Sequence, residues 1–228
     1  PTFASGDNKV AILMFVPSGI DLQSRITLYG TYVSNNNYPT YSTIDWGDGT
    51  TVVHSGRSTS TSSSEYIGPA EHTYDYNNLS PDTEFYYNGH LCRQAMIEID
   101  NSVSGMFSLN LGDLGGTYLK TDPNNYGRRS NSHNCLDVNI QSSNLTSLAV
   151  SEYPGYRGYP RNLKRIKIRT DESVGAHNLF WGCENLEVLD VGSGIFRNST
   201  SFNYTFAGCK SLKTLPYFDM SSATSVSS

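Results

Sequence analysis

The chain has 228 residues, a formal net charge of −5 and only 16% charged residues. This length suits one or two domains, and the negative balance disfavours a nucleic-acid partner, which would require a basic surface. No run approaches the 18 or so apolar residues of a membrane-spanning helix, so the sequence predicts no membrane span. The low charge content, with many Ser, Thr, Asn, Gly and Tyr residues, is typical of β-rich extracellular or virion proteins.

The first 102 residues predict a series of short β-strands. The strand-like segments are, in chain order, KVAILMFV, RITLYGTYV, YSTIDWGDG, TTVVHSG and RQAMIEID. Turn signals such as PSG, SNNNYP and GDG separate them, and this spacing predicts a small antiparallel β-sandwich over residues 1–102. The apolar stretch from Val10 to Val16 has no cleavage-site pattern after it, so we predict a strand and not a signal peptide. The run from Ser58 to Ser64 has the composition of a mobile loop.

A tight turn is predicted in the segment TIDWGDGTTVVHSG, which begins at Thr43. Trp46 is large enough to anchor a core. Gly47 and Gly49 supply the positive φ angles of a tight turn, and Asp48 can accept hydrogen bonds from nearby backbone N–H groups. Asp45 and Asp48 are alternatively ligands for calcium, but two carboxylates are too few to predict a metal site.

Together with the later segment EHTYD, this motif resembles the polycystic-kidney-disease (PKD) domain, which is an immunoglobulin-like sandwich. That family has a W-G-D-G-T turn followed by an H-x-Y strand, and the resemblance covers about 100 residues. It implies a structural role, and not a catalytic one, for the matching residues Trp46, Gly47, Asp48, Gly49, Thr50, His72 and Tyr74.

The second half of the chain contains a tandem repeat. The segments FWGCENLEVL and FAGCKSLKTL share the pattern F-x-G-C-x-x-L-x-x-L and lie 26 residues apart. A pattern written twice in tandem is typical of a stackable structural unit, in which each copy buries its apolar face against the next. The predicted core positions are Phe180, Cys183, Leu186, Leu189, Phe206, Cys209, Leu212 and Leu215.

A weaker unit, Asn or Ser followed by Leu-x-x-Leu or Leu-x-x-Ile, begins at residues 144, 162, 185 and 211, at intervals of 18, 23 and 26 residues. These intervals bracket the period of leucine-rich repeats. The segment FAGCKSLKTLPYFDMSSATSV resembles the bacterial-surface-antigen (BspA-like) leucine-rich repeat. The resemblance implies an irregular solenoid over residues 103–228, in which Phe218 and Val226 are core or turn positions and Pro216 ends a strand. It also implies a further repeat beyond the last residue.

The four cysteines, Cys92, Cys135, Cys183 and Cys209, form no C-x-x-C pair, so neither a zinc site nor a disulfide framework is predicted. Each is interpreted as a small buried hydrophobic residue. Cys183 and Cys209 share one repeat position, and the alternative is that they approach each other in neighbouring turns.

The sequence contains no H-E-x-x-H, G-x-S-x-G or P-loop pattern, so we predict no enzymatic activity and no cofactor. One loop, EYPGYRGYPRN, is rich in the residue types found at binding hot spots. Its candidate surface-binding residues are Tyr153, Tyr156, Arg157, Tyr159 and Arg161. The alternative is an insertion, stiffened by Pro and Gly, that packs on its own repeat.

A PKD-like domain followed by BspA-like repeats is similar to structural proteins of tailed bacteriophages. The similarity implies a non-enzymatic virion protein, as a fibre, decoration or tail attachment, that displays its repeats for binding. The implied partners are other virion proteins, further copies of the chain and glycans of the host surface. The alternative is a bacterial cell-surface adhesin or a subunit of an extracellular appendage.

Overall fold

The computed structural model describes residues 2–4, 7–19, 22–31, 40–56, 64–101, 107–111, 114, 134–143, 145–151 and 160–227. This part of the chain is mainly β and has no α-helix, with two single-turn 3-10 helices, Tyr76–Asn78 and Pro81–Thr83. None of its helices has the length and hydropathy needed to cross a lipid bilayer. Its strands are Lys9–Pro17 (β1), Leu22–Thr31 (β2), Thr40–Asp45 (β3), Thr51–Gly56 (β4), Ser64–Tyr74 (β5), Phe85–Tyr87 (β6), His90–Asp100 (β7), Phe107–Asn110 (β8), Cys135–Gln141 (β9), Leu145–Ala149 (β10), Arg165–Arg169 (β11) and Val188–Val191 (β12).

The strands form two sheets. The larger is an open, mixed sheet of eight strands in the order β12-β11-β9-β1-β7-β3-β4, with β6 paired to β7. The smaller has four strands in the order β10-β8-β2-β5. Within the larger sheet, β1 is antiparallel to both β7 and β9, whereas β9, β11 and β12 run parallel to one another. The segments predicted as strands in the first 102 residues all contribute to these sheets.

The apolar stretch of β1 lies at the centre of the larger sheet, as its composition predicts. Val10, Ile12 and Met14 are almost completely buried and belong to the hydrophobic core. Because side chains alternate along a strand, Ala11 and Leu13 lie on the opposite face of the same sheet. That opposite face is called the outer face below.

One hydrophobic core connects the two halves of the chain. Strand β9 pairs with β1, and β8 pairs with β2, so both sheets contain strands from before and after residue 102. Core residues such as Ile12, Val138 and Ile166 belong to a single cluster. The finer division into a sandwich over residues 1–102 and a solenoid over residues 103–228 stays a prediction about folding units.

Successive turns of the chain after residue 160 stack on one another through backbone hydrogen bonds. The N–H of Phe180 donates to the carbonyl of Thr205 at 2.9 Å, and the N–H of Gly182 donates to that of Ala207 at 2.8 Å. The next layer continues the pattern, since the N–H of Phe202 donates to the carbonyl of Ser225 at 2.8 Å.

The first predicted repeat unit lies elsewhere. Strand β10, which contains Leu145 and Leu148, pairs with β8 in the smaller sheet, while β11 pairs with β9. Both leucines are nevertheless buried. The Asn-Leu-x-x-Leu spacing therefore agrees with the burial of these leucines, although β10 lies in a different sheet from β11.

Candidate functional site

The W-G-D-G turn adopts the predicted local structure. Trp46 is completely buried, and Gly47 and Gly49 have φ angles of 79° and 89°. Asp48 accepts a hydrogen bond through Oδ1 from the backbone N–H of Thr50 at 3.1 Å. A Cβ atom at Gly47 would lie 2.5 Å from the carbonyl oxygen of Met96, so only glycine fits where this turn crosses β7.

The remaining residues of this motif pack around the turn. The His72 ring stacks on Trp46 with a centroid distance of 5.0 Å and an interplanar angle of 17°. Its Nε2 lies 2.7 Å from Asp48 Oδ2, and the Tyr74 hydroxyl donates to the carbonyl of Trp46 at 2.9 Å. Burial alone would raise the pKa of Asp48, but the hydrogen bonds from His72 and Thr50 and the nearby imidazole charge hold it below its ordinary value. These contacts hold the turn between β3 and β4 against β5.

The carboxylates considered for calcium already have partners in the turn and on β5. Asp45 Oδ1 accepts from the N–H of Gly47 at 2.9 Å, and both oxygens of Asp48 have partners. The described residues contain no group of three or more His, Cys, Asp or Glu side chains placed to hold a metal ion.

The two F-x-G-C segments lie in adjacent turns. The rings of Phe180 and Phe206 stack with a centroid distance of 5.6 Å and an interplanar angle of 12°, as the repeat predicts. Gly182 and Gly208 have φ angles of 73° and 79°. A Cβ on Gly208 would lie 3.4 Å from the Cα of Gly182, so the glycines permit a close approach of the two backbones.

The leucine positions of the repeat differ from one turn to the next. Leu186 and Leu189 are buried, and Leu212 is partly buried against the core. Leu215 and Val226, predicted as core or turn positions, are 53% and 67% exposed. The prediction of Leu215 as a core position is therefore wrong, because Leu215 belongs to the last described turn and no described segment covers it.

All four cysteines are free thiols; Cys92, Cys135 and Cys183 are buried and Cys209 is partly buried. Burial raises the pKa of Cys135 to about 12 and that of Cys209 to about 11, and it also raises the pKa of Cys92 and Cys183. Because the thiolate is the reactive form, these side chains are poor nucleophiles. The interpretation of the cysteines as small core residues agrees with this burial.

Only the end of the Tyr- and Arg-rich loop, from residue 160, belongs to the described residues. Tyr153, Tyr156, Arg157 and Tyr159 lie outside the described residues, and their role in binding stays a prediction. Arg161 is exposed, and its Nε lies 3.8 Å from Glu184 Oε1.

The structure places polar side chains in register on the outer face of the larger sheet. The parallel register aligns Asn139 of β9 with Lys167 of β11, and Lys167 with Asp190 of β12. A neighbouring row aligns Asp137 with Arg165. Adjacent strands lie about 4.8 Å apart, so each row presents its side chains at that interval across the strands.

Most charges of these rows are paired with each other. Arg165 donates from Nε to Asp137 Oδ2 at 2.8 Å, and this partner raises the pKa of the guanidinium. Arg169 donates to Asp190 Oδ1 at 2.6 Å. The ammonium group of Lys167 makes no salt bridge or hydrogen bond with any residue that the structure describes, and the side chain is half-buried. Its ammonium group is therefore available to a ligand.

A groove of about 480 Å³ lies along these rows. Its apolar part comes from the strands β1 and β7, and its polar part comes from β9, β11 and β12. The lining residues are Thr2, Ala11, Leu13, Met96, Asp137, Asn139, Arg165, Lys167 and Asp190. The lining holds two acidic and two basic side chains, but Asp190 is paired with Arg169, which lies outside the lining, so Lys167 is the charge that no described carboxylate pairs with. An apolar patch beside a few aligned polar groups is the usual composition of a small-molecule site.

The sequence carries a signal for these residues in three short segments. The segments CLDVNIQ, RIKIR and VLDV alternate buried apolar residues with polar ones. The repeat pattern concerned only the apolar positions, whereas the intervening positions form the outer face. Assigning the three segments as neighbouring parallel strands would have aligned Asn139, Lys167 and Asp190.

The comparisons with known proteins identify no family. No family model, no curated protein and no solved structure matches the chain.

Proposed function

We propose that this chain is a non-enzymatic binding protein of a tailed-bacteriophage virion, where it acts as a fibre, decoration or tail attachment. Its proposed architecture is a PKD-like sandwich followed by an irregular leucine-rich-repeat solenoid. The observation that carries the binding role is the groove on the outer face, where Asn139, Lys167 and Asp190 line up across three parallel strands.

The local geometry of both motifs supports the proposed architecture. The stacked contact of His72 on Trp46 and the positive φ angles of the W-G-D-G turn fit the PKD-like motif. The stacked rings of Phe180 and Phe206 fit turns that repeat along an axis. Both likenesses concern short motifs, and a fold of either kind is compatible with many functions.

The state of the reactive side chains supports a binding role over a catalytic one. The raised pKa values of the cysteines keep them protonated, and Asp137 and Asp190 are ion-paired at the groove. The exposed pair of Ser201 and His177, whose Oγ and Nδ1 lie 3.2 Å apart, joins neighbouring turns of the stack. Such a contact serves to fix one turn on the next.

The location on a virion rests on the resemblance to phage structural proteins. A bacterial cell-surface adhesin or appendage subunit is the second candidate, because the same groove would serve either protein. The location therefore needs its own experiment.

An antiserum raised against the purified chain distinguishes these locations. We expect it to label gradient-purified phage particles in immunogold electron microscopy and to leave the envelope fraction of uninfected cells unlabelled. Labelling of the envelope alone would favour the adhesin. A binding role further predicts that the fluorescently labelled chain attaches to intact host cells, and failure to attach to any host strain contradicts that role.

A further inference from the structure

From the groove on the outer face we infer a ligand class: an organic anion with one negative charge, a carboxylate or a phosphodiester, on a body that has an apolar face. This inference rests on the proposed binding function and specifies its ligand. Three features of the groove carry it, namely a cation without a described partner, carboxylates that are already neutralised, and an apolar floor within reach of the cation.

Strand β11 places three cationic side chains on the outer face. Residues two apart on a strand point to the same side, so Arg165, Lys167 and Arg169 lie in a line along β11. The two guanidinium groups bind carboxylates of the neighbouring strands, Asp137 on β9 and Asp190 on β12. The ammonium group between them has no hydrogen bond or salt bridge with the described residues. Three positive charges therefore face two negative ones, and the excess charge belongs to Lys167.

The nearby carboxylates do not neutralise this excess charge. Asp190 is aligned with Lys167, but its Oδ1 accepts from Arg169 at 2.6 Å, and the same guanidinium donates to the main-chain carbonyl of Asp190 at 3.0 Å. Glu98, the next carboxylate in this row, lies on β7, three strands from β11. That separation is about 14 Å at the usual strand spacing, which exceeds the screening length of about 10 Å at 0.1 M salt.

The paired carboxylates limit the charge of the ligand. The ammonium group can form a charge-assisted hydrogen bond with one anionic oxygen group, and its partial burial reduces competition from water. A second negative charge in the groove would meet Asp137 and Asp190, which also line it, and no further described cation of the lining is unpaired. One negative charge is therefore the best match.

The floor of the groove favours an organic ligand over a free inorganic ion. Leu13 of β1 and Met96 of β7 are aligned across the antiparallel ladder and are both partly exposed. Strand β9 separates β1 from β11, so Leu13 lies about 10 Å across the sheet from the row of Lys167. The groove volume of about 480 Å³ is within the range of about 300–1,000 Å³ that small-molecule sites occupy. A ligand that fills it contacts the ammonium group with its anionic end and the floor with its apolar face.

The test uses the complete chain and three small probes, with binding followed by isothermal titration calorimetry. Phenyl glucuronide carries one carboxylate, its methyl ester has the same rings without the charge, and methyl phenyl phosphate carries one phosphodiester. We expect at least one charged probe to bind, the ester to bind more weakly than the glucuronide, and a tenfold rise in salt from about 0.1 M to weaken the binding of the charged probe.

A matched pair of variants locates the binding. Lys167→Met retains the aliphatic part of the side chain and removes the ammonium group, and it should weaken binding of the charged probe about tenfold or more, as the loss of one charge-assisted hydrogen bond predicts. The control, Lys213→Met, removes an exposed lysine outside the groove and should bind like the wild type. Equal melting temperatures of both variants and the wild type ensure that any loss of binding is local.

The outcomes separate this inference from the function beneath it. Whichever charged probe binds identifies the source of the anion as a carboxylate or a phosphodiester. Equal binding of the glucuronide and its ester, binding of neither charged probe, or unchanged binding by Lys167→Met would each overturn the assignment. If neither charged probe binds while the labelled chain attaches to host cells, the binding function stands and this inference fails. If a charged probe binds through Lys167 and no host strain is labelled, the inference stands and the proposed function fails.

Discussion

At the scale of single residues, the W-G-D-G motif acts through one buried contact. Asp48 Oδ2 lies 2.7 Å from His72 Nε2, and the side chains are 3% and 13% exposed. A hydrogen bond to a charged group contributes about 1.5–3 kcal/mol when it is formed inside a protein. Because His72 also stacks on Trp46, this bond positions a ring that covers the largest side chain in the core.

Protonation of Asp48 at acidic pH should therefore lower the free energy of unfolding. Its pKa is lowered in the folded chain, so its contribution to stability is present above the unfolded value of about 3.9 and is lost as pH falls through the lower folded value. We expect Asp48→Asn to lower the free energy of unfolding at pH 7 by about 1.5–3 kcal/mol. The difference from the wild type should shrink below about pH 4.

Urea unfolding at a series of pH values measures this difference. The control is Asp75→Asn, since Asp75 is exposed and, among the described residues, its carboxylate accepts hydrogen bonds from Asn77 alone. A gap between Asp48→Asn and the wild type that stays constant from pH 7 to about pH 2 would contradict the role of the charged carboxylate.

The two glycines of the same turn form a matched pair. Both have positive φ angles, but a Cβ on Gly47 would meet the Met96 backbone at 2.5 Å, whereas one on Gly49 would meet nothing within 4 Å. We expect Gly49→Ala to cost about 1–2 kcal/mol through backbone strain alone. Gly47→Ala should cost a further 1–3 kcal/mol or so, because the backbone of β7 must shift.

Chemical denaturation of the two variants in parallel checks this order. A Gly47→Ala variant as stable as Gly49→Ala would show that the turn can move away from β7 at no cost. The predicted close approach would then have no energetic consequence.

At the scale of elements, the turns after residue 160 are held by layers of phenylalanine and leucine. Phe180 stacks on Phe206, and Phe202 stacks on Phe218 at 6.1 Å. Phe196 contacts both Phe202 and Phe218 edge-on. The side chains of these layers become more exposed toward the last described turn. Equivalent positions of the repeat therefore contribute unequally to the free energy of unfolding.

Equivalent leucines should respond unequally to truncation. Leu186 is completely buried, and Leu186→Ala should lower the free energy of unfolding by about 2–5 kcal/mol through the cavity that it leaves. Leu215 is 53% exposed, and Leu215→Ala should change stability by about 0.5 kcal/mol or less. Thermal unfolding of both variants tests this, and equal losses would mean that Leu215 is covered in solution.

Many of the strands and the stacked turns could be predicted from the sequence. The continuous apolar stretch predicted β1, the strand-like segments between turn signals predicted β3 and β7, and the repeated F-x-G-C predicted the stack of Phe180 on Phe206. The sequence could not predict that β9 pairs with β1, because this pairing joins residues far apart in the chain and leaves no periodic pattern. The same pairing places the groove, because Leu13 and Lys167 line it together only when β9 lies between β1 and β11.

At the scale of the whole molecule, the ladder between β1 and β9 joins the two predicted domains. Val10 is aligned with Ile140, and Ile12 with Val138, and all four side chains are buried. A cut after residue 102 would expose these residues of β1 along one edge of its sheet. It would also remove β8 from its place beside β2.

A pair of truncations tests how far the first domain stands alone. We expect the fragment 1–151, which retains β8, β9 and β10, to unfold cooperatively in urea. The fragment 1–102 should unfold at a lower urea concentration, because β1 keeps β7 but loses β9, and with it hydrogen bonds and apolar contacts together. Equal midpoints for the two fragments would show that residues 1–102 are an independent folding unit.

Display in several copies is the final expectation for the whole molecule. A single groove lined by a few polar side chains offers few interactions to a ligand, and it competes with water for each of them. Joining several grooves on one particle makes later contacts intramolecular and can raise the apparent affinity by about 10²–10⁴. We therefore expect the chain immobilised on beads at high density to retain host cells far better than beads carrying well-separated copies of the same total amount. Beads that carry the Lys167→Met variant at high density should lose this advantage. Equal retention at both densities would mean that one copy binds tightly enough alone, and the predicted need for an oligomer or a multicopy assembly would disappear.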